Sequence, residues 1–298
     1  MSKRALTLTV VAHMTSNYGE SLGNIGSVQK LHRDGKTYSM RTRESIKQAV
    51  MEQSGMYKDL KVKVDGATQK EVNENLTVAN CKALEGGYMN TASKADGGFT
   101  RVRNSSFYMT DAIAVEPMTN DYRFHNNLFL ASKYAKDNDL NVQKDAGKVG
   151  LMPYQYEYDK GMKVYSITID LEKIGKDVNF DTEASSEEKF KRVEMLLDGV
   201  ENLSLIVRGN LDNAEPLFIV GGLSNRMTHY FENVVRIREN KLQITDDFKE
   251  RINSGYKVGM LNGENFDNET EIKEKLMPIS VIKFFNELKA EVKEYYGV

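Results

Sequence analysis

TYSMRTRESIKQAV, Thr37 to Val50, is the stretch on which the reading of this chain turns. Thr42 precedes a run in which Ile46, Ala49 and Val50 recur at helical spacing. The spacing predicts a helix starting near Thr42, capped by the threonine oxygen and buried along one face. Arg41, Arg43 and Lys47 cannot share that face, so they are expected to put positive charge around the helix start and along its exposed side. A helix N-terminus favours anions, and basic side chains beside it favour phosphate. The same residues also read as a solvated basic helix start. The segment feeding the helix, Asn17 to Gly35, has glycines at 19, 23, 26 and 35 and reads as a long loop.

Upstream, Leu6, Leu8 and Val10 alternate with Thr7, Thr9 and Val11, which predicts a strand over Ala5–His13 with one buried face. Downstream, residues 54–99 read as a surface excursion: a short strand and turn in KVKVDG (61–66), then the small, polar GGYMNTASKADGG (86–98). Thr100–Pro117, TRVRNSSFYMTDAIAVEP, reads as a mostly apolar central strand. Arg101, Arg103, Asn104, Ser105 and Ser106 stand at its mouth. Arg there could hold phosphate through two parallel hydrogen bonds; the alternative is a loop with turn-forming Asn and Ser.

Residues 119–153 read as irregular to helical. Met162–Leu171 is a strand by alternation. Ser185 and Glu188 form a capping-box pattern ahead of a helix whose apolar face is Phe190, Val193, Leu196, Leu197 and Val200. LSLIV (203–207) and LFIV (217–220) read as short buried strands. GGLSNRMTHY (221–230) reads as a loop in which two glycines let the backbone approach a ligand, with Ser224, Asn225, Arg226 and Thr228 as donors; simple hairpin closure competes with that reading. The tail reads as polar up to Pro278, expected in the first turn of a terminal helix (278–296) that faces Ile279, Ile282, Phe285, Leu288, Val292 and Tyr296 inward.

Composition narrows the classes. The 298 residues are 40% hydrophobic and 28% charged, an ordinary globular balance. No apolar run approaches the ~20 residues of a membrane span, and MSKRALTLTVVAHM reads as a strand rather than a signal peptide; a cytoplasmic protein is expected. A single cysteine, Cys81, excludes an internal disulfide and a multi-cysteine zinc site. The four histidines are widely spaced, and no P-loop, G-x-S-x-G or dinucleotide fingerprint is present. No metal, cofactor or enzymatic activity is expected. The net charge of −2 argues against indiscriminate nucleic-acid binding, but residues 1–50 carry 8 Lys/Arg against 3 Asp/Glu, so a polyanion contact should begin there.

The predicted order β-α-β-β-α-β, with long insertions, indicates an α+β, ferredoxin-like or RRM-like fold in one domain. The aromatic signature of base-stacking RRM sheets is missing, so RNA contact is expected along loops and the first helix.

The opening strand, the loop NYGESLGNIGSVQKL (17–31) and the helix TYSMRTRESIKQAV resemble the opening of the DevR-type Cas-seven proteins, backbone subunits of type I CRISPR complexes, most closely the I-B group. The family's Ser/Thr-led helix with a basic residue five positions on corresponds to Thr42 and Lys47. TRVRNSSFYMTDAIAVEP and KVYSITIDLEKIG (163–175) share the resemblance, as does the glycine-rich segment after the last strand. It implies an RRM-like palm with inserted fingers (55–99), web (119–153) and thumb. It further implies a non-catalytic subunit that stacks with copies of itself and other Cascade subunits along a CRISPR RNA and presents bases to target DNA, with no membrane partner. Sequence-independent binding of that kind needs backbone-phosphate donors. The candidates are Asn24, Lys30, Arg41, Arg43, Lys47, Arg101, Arg103, Asn104, Ser224, Asn225 and Arg226. Two other classes stay open: an endoribonuclease on the same fold, with His13 or His32 as general base, and an assembly protein without nucleic acid.

Overall fold

The computed structural model describes residues 4–19, 25–61, 75–91 and 98–298, with the backbone alone of 64–65 and 68–69. The main sheet contains β1 (Ala5–Thr15), β2 (Lys30–Arg33), β3 (Lys36–Arg41), β4 (Phe107–Met109), β5 (Ala112–Ala114), β6 (Lys160–Asp170), β7 (Pro216–Ser224), β8 (Lys257–Met260) and β9 (Ile279–Ser280). Their spatial order is β9-β8-β7-β1-β6-β5-β3-β2, with β4 also on β6. Every pair is antiparallel except β8 with β9. The helices are α1 (Arg43–Gln53), α2 (Leu128–Asp137), α3 (Ser186–Glu201), α4 (Asp246–Asn253), α5 (Glu269–Leu276) and α6 (Val281–Tyr296). Reduced to β1-α1-β4/β5-β6-α3-β7, with β1 between β6 and β7, this is the split-βαβ, ferredoxin-like arrangement in an α+β protein.

Leu6, Leu8, Val10, Ala12 and Met14 of β1 pack against Ile46 and Val50 of α1, Val193, Leu196 and Val200 of α3, and Phe284, Phe285 and Leu288 of α6. The other face is buried too, against the expectation of one buried face. There Val11, Phe218 and Val220 meet Phe231, Phe248, Phe266 and Ile272. The last four lie in the stretch that reads as a polar tail; their spacing follows no single period, because they come from turns and two short helices. Thr7 and Thr9 sit under this layer and are satisfied across the sheet by Thr168 (3.2 Å) and Ser166 (2.7 Å).

Several local expectations change. Residues 30–41 form a hairpin rather than the end of a loop, turning at Asp34 and Gly35, both at positive φ (52° and 70°). An Asp-Gly pair in that conformation is the favoured tight hairpin turn. The single strand expected over 107–115 is broken: Met109 faces Ile167 whereas Ile113 faces Val164, a one-residue slip. The slip frees Asp111, whose Oδ1 accepts from Arg43 N (2.8 Å). Gly221 and Gly222 lie inside β7, not in a loop. A Cβ on Gly221 would stand 2.0 Å from Thr7 O, so the close approach it permits is to β1. The terminal helix starts at Val281 on a Ser280 cap, three residues after Pro278, and Ile282 is exposed.

Residues 75–91 are not a bare excursion. Val78, Cys81, Ala83 and Leu84 form a small buried cluster, and the buried Glu85 takes Arg192 (3.0 Å) and Arg103 (3.3 Å). Ser185 caps α3, but Glu188 pairs with Arg192 (2.8 Å) instead of reaching back to the cap. The expectations for residues 62–63, 66 and 92–97, and for Asn24, lie outside the described residues. Residues 119–153 carry the strand Tyr122–His125, which pairs with Tyr154–Glu157, and α2, whose Ala131 and Ala135 pack on Val149 while Leu128, Phe129 and Leu130 are exposed.

Candidate nucleic-acid interface

The start of α1 is built from three segments. Thr42 Oγ1 accepts from Ser45 N (3.4 Å), capping the first turn, and Thr42 N donates to Asn17 Oδ1 (2.8 Å). Arg43 is exposed, its guanidinium beside Glu44 (2.8 Å), a surface pair that competes weakly with a phosphate. Arg41 behaves differently from the expectation that it lines the exposed side. It ends β3 and is 4% exposed. Its Nε donates to Thr15 O (2.9 Å) and its guanidinium to Ser45 Oγ (2.7 Å), and burial lowers its pKa to about 10. It ties β1 to α1 from inside. Lys30 is held at 2.5 Å by Glu157, a buried carboxylate that also accepts from Val28 N.

Lys47, one turn further along α1, is half-buried. Its Nζ donates to Gly86 O (2.8 Å) and Ser105 Oγ (2.9 Å) and lies over the Phe107 ring (4.7 Å). Burial lowers its pKa to about 8, only partly opposed by Glu44. Arg103 is buried and donates to Lys173 O (2.9 Å) and Lys176 O (3.0 Å) besides Glu85. Asn104 is exposed, and Arg101 stands over the rings of Phe99 and Phe180 (4.4 and 4.5 Å). Ser224 is buried, bonded to the Tyr256 hydroxyl (2.9 Å) and Arg226 N (3.0 Å). Asn225 and Arg226 are exposed, Arg226 over Tyr230 (5.2 Å).

These residues fall into two groups. Thr15, near Arg41, faces Lys160, whereas Ala5 faces Asp170 and Ser224 at the other end of β1. Lys30, Arg41 and Arg43 therefore lie at one end of the sheet. Arg101, Arg103, Asn104 and Ser224–Arg226 lie at the other, roughly 30 Å away at about 3.3 Å per residue. Lys47 lies between them on α1.

The sequence reading missed a third cluster, at the Thr15 end. Arg208 lies over Tyr18 (4.7 Å) and Tyr156 (5.8 Å), and Arg123 over Tyr158 (3.6 Å). His125 stacks on Tyr154 and Tyr156, with ring centroids at 5.4 and 5.0 Å. Tyr18 donates to Glu157 O (2.7 Å), and burial, with Tyr156 beside it, pushes its pKa up to about 12. The available signal was the alternation of aromatics in YQYEY (154–158) facing Arg123 and His125 across a strand pair. Of the histidines considered as a base, His13 is exposed on β1, and His32 shares a hydrogen bond with Thr37 (2.9 Å). Among the described residues no group of three or more His, Cys, Asp or Glu could hold a metal ion, and no helix is long and apolar enough to cross a membrane.

The model of the family described as "CRISPR-associated negative auto-regulator DevR/Csa2" matches residues 6–245. The chain belongs to the DevR/Csa2 family. A search of curated proteins returned no matching sequence. Among solved structures, a chain of a "CRISPR RNA-guided surveillance complex" is 12% identical, with 96% of this chain and 99% of that one covered at a TM-score of 0.57. A chain of a "CRISPR RNA-guided surveillance complex, pre-nicking" is 10% identical, with 97% and 99% covered at 0.61. At these identities the likeness is one of fold. It covers a larger share of the chain than the DevR/Csa2 match does.

Proposed function

We propose that this chain is a non-catalytic backbone subunit of a CRISPR RNA-guided surveillance complex. It polymerises along the spacer of the CRISPR RNA and presents it for pairing with target DNA, beside other subunits of the complex. The observation that carries this reading is the DevR/Csa2 family match over residues 6–245. The ferredoxin-like sheet serves as an RRM-like palm, residues 55–99 as fingers and residues 119–153 as web. The exposed Leu128, Phe129 and Leu130 of α2 give a neighbouring copy an apolar surface to cover.

RNA runs between the two ends of the sheet past α1. Asn24, Lys30, Arg43, Lys47, Arg101, Asn104, Asn225 and Arg226 meet phosphate and sugar, a mode of contact that positions a strand without reading it. Arg41, Arg103 and Ser224 serve the same groove from beneath, by holding the backbone that carries those residues.

The test is purification from cells that express a CRISPR array and the partner subunits. The ultraviolet absorbance ratio is read first, then the bound nucleic acid is sized and sequenced. With no Trp and 15 Tyr the protein absorbs weakly at 280 nm, so bound RNA dominates the spectrum. Large particles carrying intact array-derived RNA are expected. A monomer free of nucleic acid would overturn the proposal, as would RNA cleavage that depends on His13 or His32.

A further inference from the structure

A cleft opens where the segment after β1 meets the Tyr154–Glu157 strand and the hairpin formed by Ser204–Val207 and Asn210–Asn213. Tyr18, Tyr156 and Tyr158 make its walls aromatic, and two arginines stand among its polar groups. Arg123 and Arg208 both line it. Both are exposed at its rim, and among the described residues neither has a carboxylate partner. The one carboxylate in the cleft, Asp159, is taken up by Lys163 (2.7 Å) and Ser16 (2.7 Å), and these partners hold its pKa below the usual range despite its burial.

The backbone beneath Arg208 gives a second observation. Arg208 and Gly209 form the tight turn of the hairpin, both at positive φ (51° and 79°). Asn, Asp or Gly occupies such a first position at low cost; Arg does not. The guanidinium then lies against the backbone of Gly26, where even a Cβ would come within 2.9 Å of it, and over the face of Tyr18. A costly turn residue, a glycine that makes room for it and an unpaired charge over aromatic rings are the features of a site kept for a ligand. That ligand must be anionic and must present a flat π face. Arg meets phosphate through its fork of donors, and tyrosine and guanidinium planes stack on bases.

We propose that this cleft binds one nucleotide of a single strand, its base against the Tyr18–Arg208–Tyr156 layer and its phosphate held by Arg123 and Arg208. The site adjoins the start of α1 through the Asn17–Thr42 contact, so a strand passing α1 reaches it without crossing the sheet. The inference rests on the proposed RNA-binding role and adds a nucleotide subsite to it.

The experiment measures binding of the full chain to a short, labelled, mixed-sequence oligoribonucleotide and its DNA counterpart by fluorescence anisotropy, with thermal unfolding of each variant alongside. Arg208→Asn suits the turn better than Arg, so its Tm should be unchanged or higher. Its RNA affinity should fall at least about tenfold. Arg123→Gln, which leaves the turn untouched, should show the same loss. A loss confined to RNA assigns the cleft to the guide strand, and one confined to DNA assigns it to a target strand; both support the nucleotide site. Binding within about twofold of wild type in both variants overturns it, as does a loss in Arg208→Asn that comes with a fall in Tm. If the wild type binds RNA but the variants do too, only the cleft assignment fails; a wild type that binds no RNA sinks the backbone reading as well.

Discussion

Arg41 and Arg43 are two residues apart and equally charged, yet they have opposite surroundings. Arg41 is the last residue of β3 and its donors are spent on Thr15 and Ser45, whereas Arg43 opens α1 and faces solvent. Removing a buried charge whose partners stay behind is costly. Arg41→Glu is therefore expected to destabilise the fold by about 3–5 kcal/mol, measured by denaturant unfolding. Arg43→Gln should leave the unfolding midpoint unchanged and reduce the slope of log binding constant against log salt by about 0.7 for a single strand, the signature of one lost phosphate contact. Lys47 adds a pH dependence. Its folded pKa is about 8 against an ordinary 10.5, because burial disfavours the charge. Between those values the unfolded chain holds the proton and the folded chain does not. Wild-type stability should therefore rise relative to Lys47→Met as pH goes from 8 to 10.5, and the difference should be flat below 8. A difference that shrinks over that interval would contradict the burial of the ammonium.

At the scale of elements, two caps were legible because they are local. Thr42 and Ser185 each precede their helix by one residue and accept from a backbone N–H of its first turn, whereas the Ser280 cap of α6 was passed over for a start at Pro278. Thr42→Ala should cost about 1 kcal/mol in unfolding free energy. The glycines of β7 were misread because a Gly-Gly pair looks the same in a ligand-binding loop and in a strand pressed on its neighbour. The Gly221 position leaves only 2.0 Å between an added Cβ and Thr7 O. Gly221→Ala must separate β7 from β1 at the centre of the sheet, and little or no cooperatively folded protein is expected from it by thermal unfolding and near-ultraviolet circular dichroism. The break between β4 and β5 belongs here too. A continuous alternation predicted one strand, but a bulge that delivers Asp111 to the start of α1 interrupts it.

At the scale of the whole molecule, two cores share one sheet, and the second is closed by residues beyond the family match. Phe248, Val258, Phe266 and Ile272 cover Phe218 and Val220, β8 pairs with β7, and α6 covers the helix face with Phe284 and Phe285. A chain ending at residue 245 would expose both, and is expected to be insoluble or to unfold without a cooperative transition. A soluble, cooperatively folding truncation would show that residues 6–245 make a domain of their own.

By itself the sequence determined what depends on neighbours along the chain: the period-two strands at 5–13 and 162–171, the capped helices at Thr42 and Ser185, and the β-α-β-β-α-β order that fits a ferredoxin-like sheet. Only the tertiary structure decided which of several similar arginines are buried, that residues 231–277 form a second core, and that Tyr18, Arg123, Tyr156 and Arg208 share a cleft. Burial and ion pairing depend on residues brought together from distant parts of the chain. A local pattern records the face a side chain turns toward, but not what folds back to meet it.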